Sequence, residues 1–142
     1  MFLGEFGHTI DGKGRMTIPS RFRPNLAAGV VVTRWLDGCL ALYSAAGWES
    51  LAEQVNALPI TDRRARDFRR FIFGGAVEAV PDRQGRVLVP AYLREYAGIE
   101  DEVTIVGMDT YIEIWNPETW QAVRQGVEND EANAERWAEL GI

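Results

Sequence analysis

The chain has 142 residues, of which 46% are hydrophobic and 11% aromatic, and its formal net charge is −6. This composition suffices for one apolar core, and no apolar run approaches the ~20 residues that span a membrane. The N-terminal stretch lacks the basic region of a signal peptide, and the single cysteine, Cys39, excludes an internal disulfide. We therefore expect a cytoplasmic globular protein.

The charges are segregated along the chain. Residues 1–24 carry four Lys or Arg against two acids, and residues 79–94 carry three Arg against one acid. Residues 95–115 contain six acids and no base, and residues 116–142 contain six acids against two Arg. The negative total therefore does not exclude a local basic surface that binds a polyanion.

The first predicted elements are two short strands, Glu5–Ile10 and Met16–Ile18, joined by the turn D-G-K-G-R. The alternation of polar and apolar residues around this turn favours a β-hairpin. Asp11 is expected to accept N–H bonds from the backbone two residues further on, and Gly14 to adopt a positive φ.

A short helix, a second hairpin and a longer helix follow. Ser20 is a candidate N-cap for the short helix, and the hairpin pairs Val30–Thr33 with Cys39–Tyr43. The longer helix begins behind Ser44. Its apolar face, which we expect to be exposed for assembly, consists of Trp48, Leu51, Ala52 and Val55.

The next helix connects two halves of the chain. It is predicted to be capped by Thr61 and to end at Gly74 and Gly75. Its apolar residues at helical spacing are Ala65, Phe68 and Ile72, which leaves Arg63, Arg66, Arg69 and Arg70 on the outer face. We expect these arginines to pair with acidic residues of this chain or of a neighbouring copy, rather than with DNA.

The second half repeats the first at an offset of 71 residues. The matching residues are Asp11, Gly14, Arg15, Pro19 and Arg23 with Asp82, Gly85, Arg86, Pro90 and Arg94. Five identities over thirteen positions compare with about one expected by chance. The strands predicted here are Ala76–Val80, Val87–Val89, Val103–Val106 and Tyr111–Trp115, followed by a helix behind Asn116 with the apolar face Trp120, Val123 and Val127.

The order β-β-α-β-β-α therefore occurs twice. Four short strands bury too little surface to be stable alone, so we expect the halves to complete one another around a pseudo-two-fold axis, in one intertwined α+β domain. The predicted division is repeat one at 5–47, connecting helices at 48–75, repeat two at 76–119, and a C-terminal helix with an acidic tail at 120–142.

The repeated motif D-x-x-G-R-x-x-x-P resembles that of the AbrB-like swapped-hairpin transcription factors, whose unit is β-β-α-β-β. The opening MFLGEFGHTIDGKGRMTIPSRFR and the second motif DRQGRVLVPAYLR resemble, more specifically, the MraZ family of bacterial regulators. The resemblance covers roughly residues 1–125 and implies two tandem repeats that form a swapped-hairpin barrel with flanking helices.

The resemblance also implies a function. MraZ-like proteins are expected to bind double-stranded DNA sequence-specifically, at direct repeats near the promoter of a division and cell-wall gene cluster, and to repress that cluster. They are expected to form rings and to act in the nucleoid. Carried onto this chain, the DNA contacts are Asp11, Lys13, Arg15, Asp82 and Arg86.

The chemistry of the motif agrees with DNA binding. An arginine beside a tight turn presents a planar fork that can meet guanine or phosphate with two bonds. Four further arginines close to the motifs are added as candidate contacts: Arg21, Arg23, Arg83 and Arg94.

Other interpretations stay open. Each Asp–Arg pair can be a structural ion pair that closes its turn, which does not exclude DNA contact. A ring-forming interaction protein or an antitoxin-like adaptor is the alternative function. His8 stands alone on a strand, and no catalytic set, metal site, cofactor motif or small-molecule site is indicated, so we expect no enzymatic activity.

Overall fold

The structure, a computed structural model, describes residues 1–142 and contains eight strands and six helices. The strands are β1 (Glu5–Thr9), β2 (Arg15–Thr17), β3 (Val30–Arg34), β4 (Leu40–Ser44), β5 (Val77–Ala79), β6 (Arg86–Leu88), β7 (Glu102–Gly107) and β8 (Ile112–Trp115). The helices are α1 (Arg23–Leu26), α2 (Ala45–Asn56), α3 (Arg63–Gly75), α4 (Ala91–Ala97), α5 (Pro117–Asn129) and α6 (Asn133–Ala138). The α+β class is confirmed, and none of the helices is long and apolar enough to cross a bilayer.

Strands from both halves of the chain are combined in the main sheet. Six antiparallel strands lie in the order β1-β7-β8-β4-β3-β5, while β2 and β6 form a separate two-stranded ladder. β1 pairs with β7 of the other half, with Phe6 opposite Ile105, and β3 pairs with β5, with Val31 opposite Glu78. Neither half contains a complete sheet, so each depends on the other.

The prediction that β1 and β2 pair with each other in a hairpin is wrong. The turn forms, but the two strands share only one bridge, between Ile10 and Met16. β1 lies against β7 and β2 against β6. Alternation along a strand shows which face is buried but not which strand lies beside it, because any partner with the same alternation satisfies the pattern.

The second predicted hairpin of each half is confirmed. β3 pairs with β4 so that Val31 lies opposite Tyr43, and β7 pairs with β8 so that Ile105 lies opposite Ile114. β4 and β8 also pair with each other, which joins the two hairpins into one sheet.

The main apolar core lies between the sheet, the ladder and the short helices, and a second small cluster is formed by Cys39, Val106 and Trp115. Phe22 and Leu93 occupy matching positions of the two halves and are 2% and 0% exposed. The ring of Phe22 contacts those of Phe2 and Phe6 edge-on, with centroids 5.2 Å apart in both pairs. Truncating a side chain buried to this degree to alanine costs about 3–5 kcal/mol.

Two of the predicted helix caps are confirmed and two are wrong. Ser44 Oγ accepts from the N–H of Gly47, and Asn116 Oδ1 accepts from the second and third residues of α5. Ser20 caps nothing, because it lies inside a 3-10 turn that begins after Pro19. Asp62, rather than Thr61, caps α3, since its carboxylate accepts from the N–H of Arg64 at 2.9 Å.

The predicted exposed apolar faces are only partly present. Val55 is buried within the chain, and Trp48 is half-buried with its ring 5.8 Å from that of Phe73 on α3. On α5, Trp120 packs against Trp115, whereas Val127 is 51% exposed. Packing between α2 and α3 thus covers much of the face that the sequence leaves without a partner.

Candidate nucleic-acid interface

The first loop, residues 11–15, is held together by the carboxylate of Asp11. Its Oδ1 accepts from the N–H groups of Lys13 at 3.0 Å and Arg15 at 2.9 Å, and its Oδ2 accepts from Arg15 Nε at 2.6 Å. Gly14 has a φ of +86°, as predicted. The loop is therefore a tight turn with its arginine fixed by an ion pair.

The second loop, residues 82–86, repeats this geometry. Asp82 Oδ1 accepts from the N–H groups of Gln84 and Arg86, both at 2.9 Å, and Oδ2 accepts from Arg86 Nε at 2.9 Å. Gly85 has a φ of +72°. The Asp–Arg pairs are thus structural ion pairs, one of the two interpretations left open, and the arginines remain part-exposed at 39% and 28% of their side chains.

The ladder of β2 and β6 brings both loops to one surface. Arg15 lies opposite Leu88 and Thr17 opposite Arg86, while Met16 between them is buried. The two arginines are therefore two ladder positions apart, about 7 Å along the strands. Arg86 Nη1 also lies 3.9 Å from Asp11 Oδ2 of the first loop, so charges of both loops meet here.

Three candidate residues are exposed cations without an acidic partner. Lys13, Arg21 and Arg83 project from the surface and take part in no ion pair. The guanidinium of Arg21 lies 5.6 Å from the ring centre of Phe6. Since each Asp–Arg pair is neutral, Lys13 and Arg83 leave each loop with one net positive charge.

Two other candidates are turned toward the body of the protein. Arg23 Nε donates to the carbonyl oxygen of Ile18, and Arg94 Nε to that of Val89, each at 3.0 Å. Both side chains are half-buried. They differ in this respect from the exposed cations, although the sequence offers the same residue type.

Both loop carboxylates stay ionised at neutral pH. The backbone N–H of Arg15 lowers the pKa of Asp11 below its usual value, with further lowering from the Arg15 side chain. The N–H and side chain of Arg86 act likewise on the pKa of Asp82. Hydrogen bonds to the charged form favour it, so the turns stay closed at neutral pH.

The acidic rim of this surface, formed by Asp101 and Glu102, was not predicted from the sequence. An open cleft of about 460 Å³ is lined by Asp11, Arg15, Thr17, Arg86, Asp101 and Glu102. Asp101 and Glu102 come next to the loops because Ile10 donates to Asp101 O and Thr9 pairs with Glu102. Only the pairing of β1 with β7 could have shown this. Two acidic residues therefore line the same cleft as Arg15 and Arg86.

The arginines of α3 are a separate basic surface. Arg64 pairs with Asp62 at 2.7 Å and Arg70 with Asp67 at 2.9 Å, so part of their charge is neutralised within the helix. Arg66 and Arg69 have no acidic partner within the chain. The prediction of acidic partners within the chain for the four outer-face arginines is confirmed for Arg70 and for Arg63, whose Nε lies 3.7 Å from Asp67 Oδ2.

Outside the loops, the polar chemistry is sparse. No group of three or more His, Cys, Asp or Glu side chains is placed to hold a metal ion. Cys39 is buried, as predicted, and burial raises the pKa of its thiol well above the usual range. Burial also raises the pKa of Glu113, which accepts from Trp115 Nε1 at 3.0 Å.

The comparisons with known proteins all indicate the same family. Residues 1–71 and 72–139 each match the family model described as "MraZ protein, putative antitoxin-like". A protein named transcriptional regulator MraZ from Acetivibrio thermocellus is 46% identical over 144 residues, covering 100% of both chains. Relatives of the same name from Roseiflexus castenholzii and Thermomicrobium roseum are 47% and 52% identical, covering 99% and 86% of each chain. The two matched segments begin 71 residues apart, which is the offset of the internal repeat.

Proposed function

The chain belongs to the MraZ family, and we propose that it is a transcriptional regulator that binds double-stranded DNA sequence-specifically through residues 11–15 and 82–86. One observation carries the proposal. Two copies of the same rigid turn lie at the two ends of one short ladder, each with a fixed arginine and one unpaired cation.

The ion pairs support DNA contact by these arginines. Within each loop the aspartate accepts a hydrogen bond only from Nε of its arginine, at 2.6 Å in the first loop and 2.9 Å in the second. The remaining N–H groups are left to donate, and a guanidinium held in one orientation loses less entropy when it binds. Arg15 and Arg86 are close enough for one stretch of duplex to contact both.

The net charge of −6 is compatible with this proposal. Electrostatic attraction to DNA depends on the charges facing it, and screening reduces the effect of charges more than ~8–10 Å away. Lys13 and Arg83 are exposed on the loops and Arg21 is exposed on the 3-10 turn after β2, and in this proposal all three contact phosphates. Such contacts make the affinity fall steeply with salt.

We propose further that the chain assembles into a ring. The segment 128–142 holds five acids and one arginine, and the α3 surface holds Arg66 and Arg69 without acidic partners. Trp137 and Leu140 in the same segment are 45% and 72% exposed. A head-to-tail contact between two different surfaces gives a closed ring when the rotation closes. A ring with many loops gains avidity on repeated DNA sites.

The resemblance to the family supports the identity of the target. We propose that the ring binds direct repeats near the promoter of its own division and cell-wall gene cluster and represses it. This activity places the protein on the nucleoid in the cytoplasm, and it requires no cofactor and no catalysis.

The test is fluorescence anisotropy with labelled DNA from upstream of the chain's own gene, and a shuffled duplex of equal length as control. Arg15→Ala removes a side chain from the surface without opening a cavity, and each lost base contact costs about 1–3 kcal/mol, or five- to 150-fold in affinity. Arg64→Ala on α3 is the matched control and keeps wild-type affinity. Equal affinity of Arg15→Ala and wild type, with the oligomer unchanged, would show that the loops are turns only.

The family description raises an antitoxin-like adaptor as a second candidate. Such a protein needs a segment that wraps a partner. Here the C-terminal residues form α5 and α6 on the same chain, and Arg124 of α5 lies 3.7 Å from Glu5 of β1. A specific protein partner that competes with DNA for the loops would favour the adaptor.

A further inference from the structure

Arg23 and Arg94 each lie across the turn glycine of the opposite half of the chain. A methyl group on Gly14 would lie 3.1 Å from Arg94 Nε and 3.2 Å from its Nη2. A methyl group on Gly85 would overlap the Nε of Arg23. The arginine that follows each motif therefore covers the loop of the other motif, not its own.

Hydrogen bonds connect the same residues. Val89 N–H donates to the carbonyl oxygen of Gly14 at 2.7 Å, and the carbonyl oxygen of Val89 accepts from Arg94 at 3.0 Å. On the other side, Ile18 N–H donates to Gly85 O at 2.9 Å, and Ile18 O accepts from Arg23. Each loop is thus joined to one residue of the other half, and that residue is held by the arginine.

We propose that Arg94 and Arg23 are positioning residues for DNA binding that act crosswise: Arg94 holds the first loop with Arg15, and Arg23 holds the second loop with Arg86. The inference rests on the proposed DNA-binding function of the loops. An arginine suits the role because its planar group can lie flat on a residue without Cβ while Nε donates sideways.

The competing role for the two arginines is direct contact with phosphate. In that role Arg94 and Arg23 contribute charge, act independently of either loop, and can be replaced by lysine. In the crosswise role, lysine cannot replace arginine. Its single ammonium group cannot cover the glycine and at the same time donate to the carbonyl oxygen of Val89 or Ile18. The two roles therefore predict opposite results for one conservative change.

The experiment on binding is a set of double-mutant cycles on the upstream DNA. We expect Arg94→Met to weaken DNA binding about tenfold in the otherwise wild-type protein. In the Arg15→Ala background it should have almost no further effect, because the first loop has already lost the arginine that contacts DNA. In the Arg86→Ala background, Arg94→Met should retain its full tenfold effect. Arg23→Met should show the reverse pattern, with almost no further effect in Arg86→Ala and the full effect in Arg15→Ala. We expect Arg94→Lys to behave as Arg94→Met.

Three outcomes would overturn the inference. Wild-type affinity in Arg94→Lys would assign the residue to phosphate, as would a salt slope that falls by about one in Arg94→Met. An equal effect of Arg94→Met in Arg15→Ala and Arg86→Ala would reduce its role to general stability.

Amide hydrogen exchange of the DNA-free protein separates this inference from the proposed function. In Arg94→Met, or in Arg94→Lys if the first variant fails to fold, the amides of Gly14 and Val89 should exchange about fivefold faster, as for the loss of one hydrogen bond. Those of Gly85 and Ile18 should keep their rates. This pattern without any DNA binding would contradict the proposed function alone, whereas equal acceleration at both loops would overturn the crosswise support.

Discussion

Replacement of Gly14 by alanine tests the geometry of the first loop directly. Gly14 has a φ of +86°, and a Cβ there would lie 2.6 Å from the carbonyl oxygen of Val89. This oxygen belongs to the main chain and cannot rotate away as a side chain could. Val89 N–H also donates to Gly14 O, so movement to relieve the overlap weakens that bond.

The magnitude follows from two costs. The left-handed conformation costs an alanine about 1–2 kcal/mol, and a weakened backbone hydrogen bond costs about 1 kcal/mol. The free energy of unfolding should fall by about 2–3 kcal/mol. For a chain of this size each kcal/mol lowers the melting temperature by about 2–4 °C, so the midpoint should drop by about 4–12 °C.

Gly12→Ala is the control in the same loop. Its Cβ would meet nothing within 4 Å, and its φ is not positive, so we expect a change within about 0.5 kcal/mol. Calorimetry of both variants at one pH and one protein concentration measures the difference. Equal melting temperatures of the two variants would refute the assigned loop geometry.

Three further predictions concern stability and assembly. Asn116→Ala removes the cap of α5 and the bond from Nδ2 to Gly98 O, so thermal unfolding should begin about 3–6 °C lower. Because the folded-state pKa values of Asp11 and Asp82 lie below those of the unfolded chain, their contribution to stability is complete above about pH 4 and lost as pH falls through the lowered values. On acidification, the free energy of unfolding should therefore fall less in the double variant Asp11→Asn, Asp82→Asn than in wild type. Light scattering should give a mass several times the 15.9 kDa of one chain, and a monomer at micromolar concentration would contradict the ring.

The sequence predicts the local structure well because local structure depends on nearby residues. The turns at Asp11 and Asp82, the positive φ of both motif glycines and the caps at Ser44 and Asn116 all involve bonds across five residues or fewer. The internal repeat adds a constraint on the whole, since two incomplete halves must share a core.

The strand partners could not be predicted, because they depend on contacts far apart in sequence. β1 and β2 have the alternation of a hairpin, but β1 lies beside β7, about 100 residues away. A β1–β2 hairpin would leave the opposite half without its edge strand. The same long-range pairing brings Asp101 and Glu102 to the loops, so the acidic rim was missed for the same reason.

The orientation of the arginine side chains also could not be predicted from the sequence. Arg21 and Arg23 lie two residues apart in one basic stretch, yet Arg21 is exposed beside Phe6 and Arg23 turns inward to Ile18 O. Residue type gives the charge, whereas the course of the backbone decides where it points. The prediction of all nine candidate residues as DNA contacts therefore stays a prediction, with Arg23 and Arg94 assigned a different contact in the free protein.

The two loops differ only where they face solvent. Gly12 and Lys13 stand where the second loop has Arg83 and Gln84, and all four are exposed. The aspartate, glycine and arginine that build each turn, and the arginine that covers it, are the same in both. Two copies of a single-repeat chain would present identical loops related by a two-fold axis, and such symmetry matches a palindromic site. Joining the copies in one chain removes that restriction, because each loop can carry its extra cation at a different position on the same support. In the proposed complex, a subunit with unequal loops would have a direction on the duplex, and a ring of subunits that all point the same way would match direct repeats rather than inverted ones.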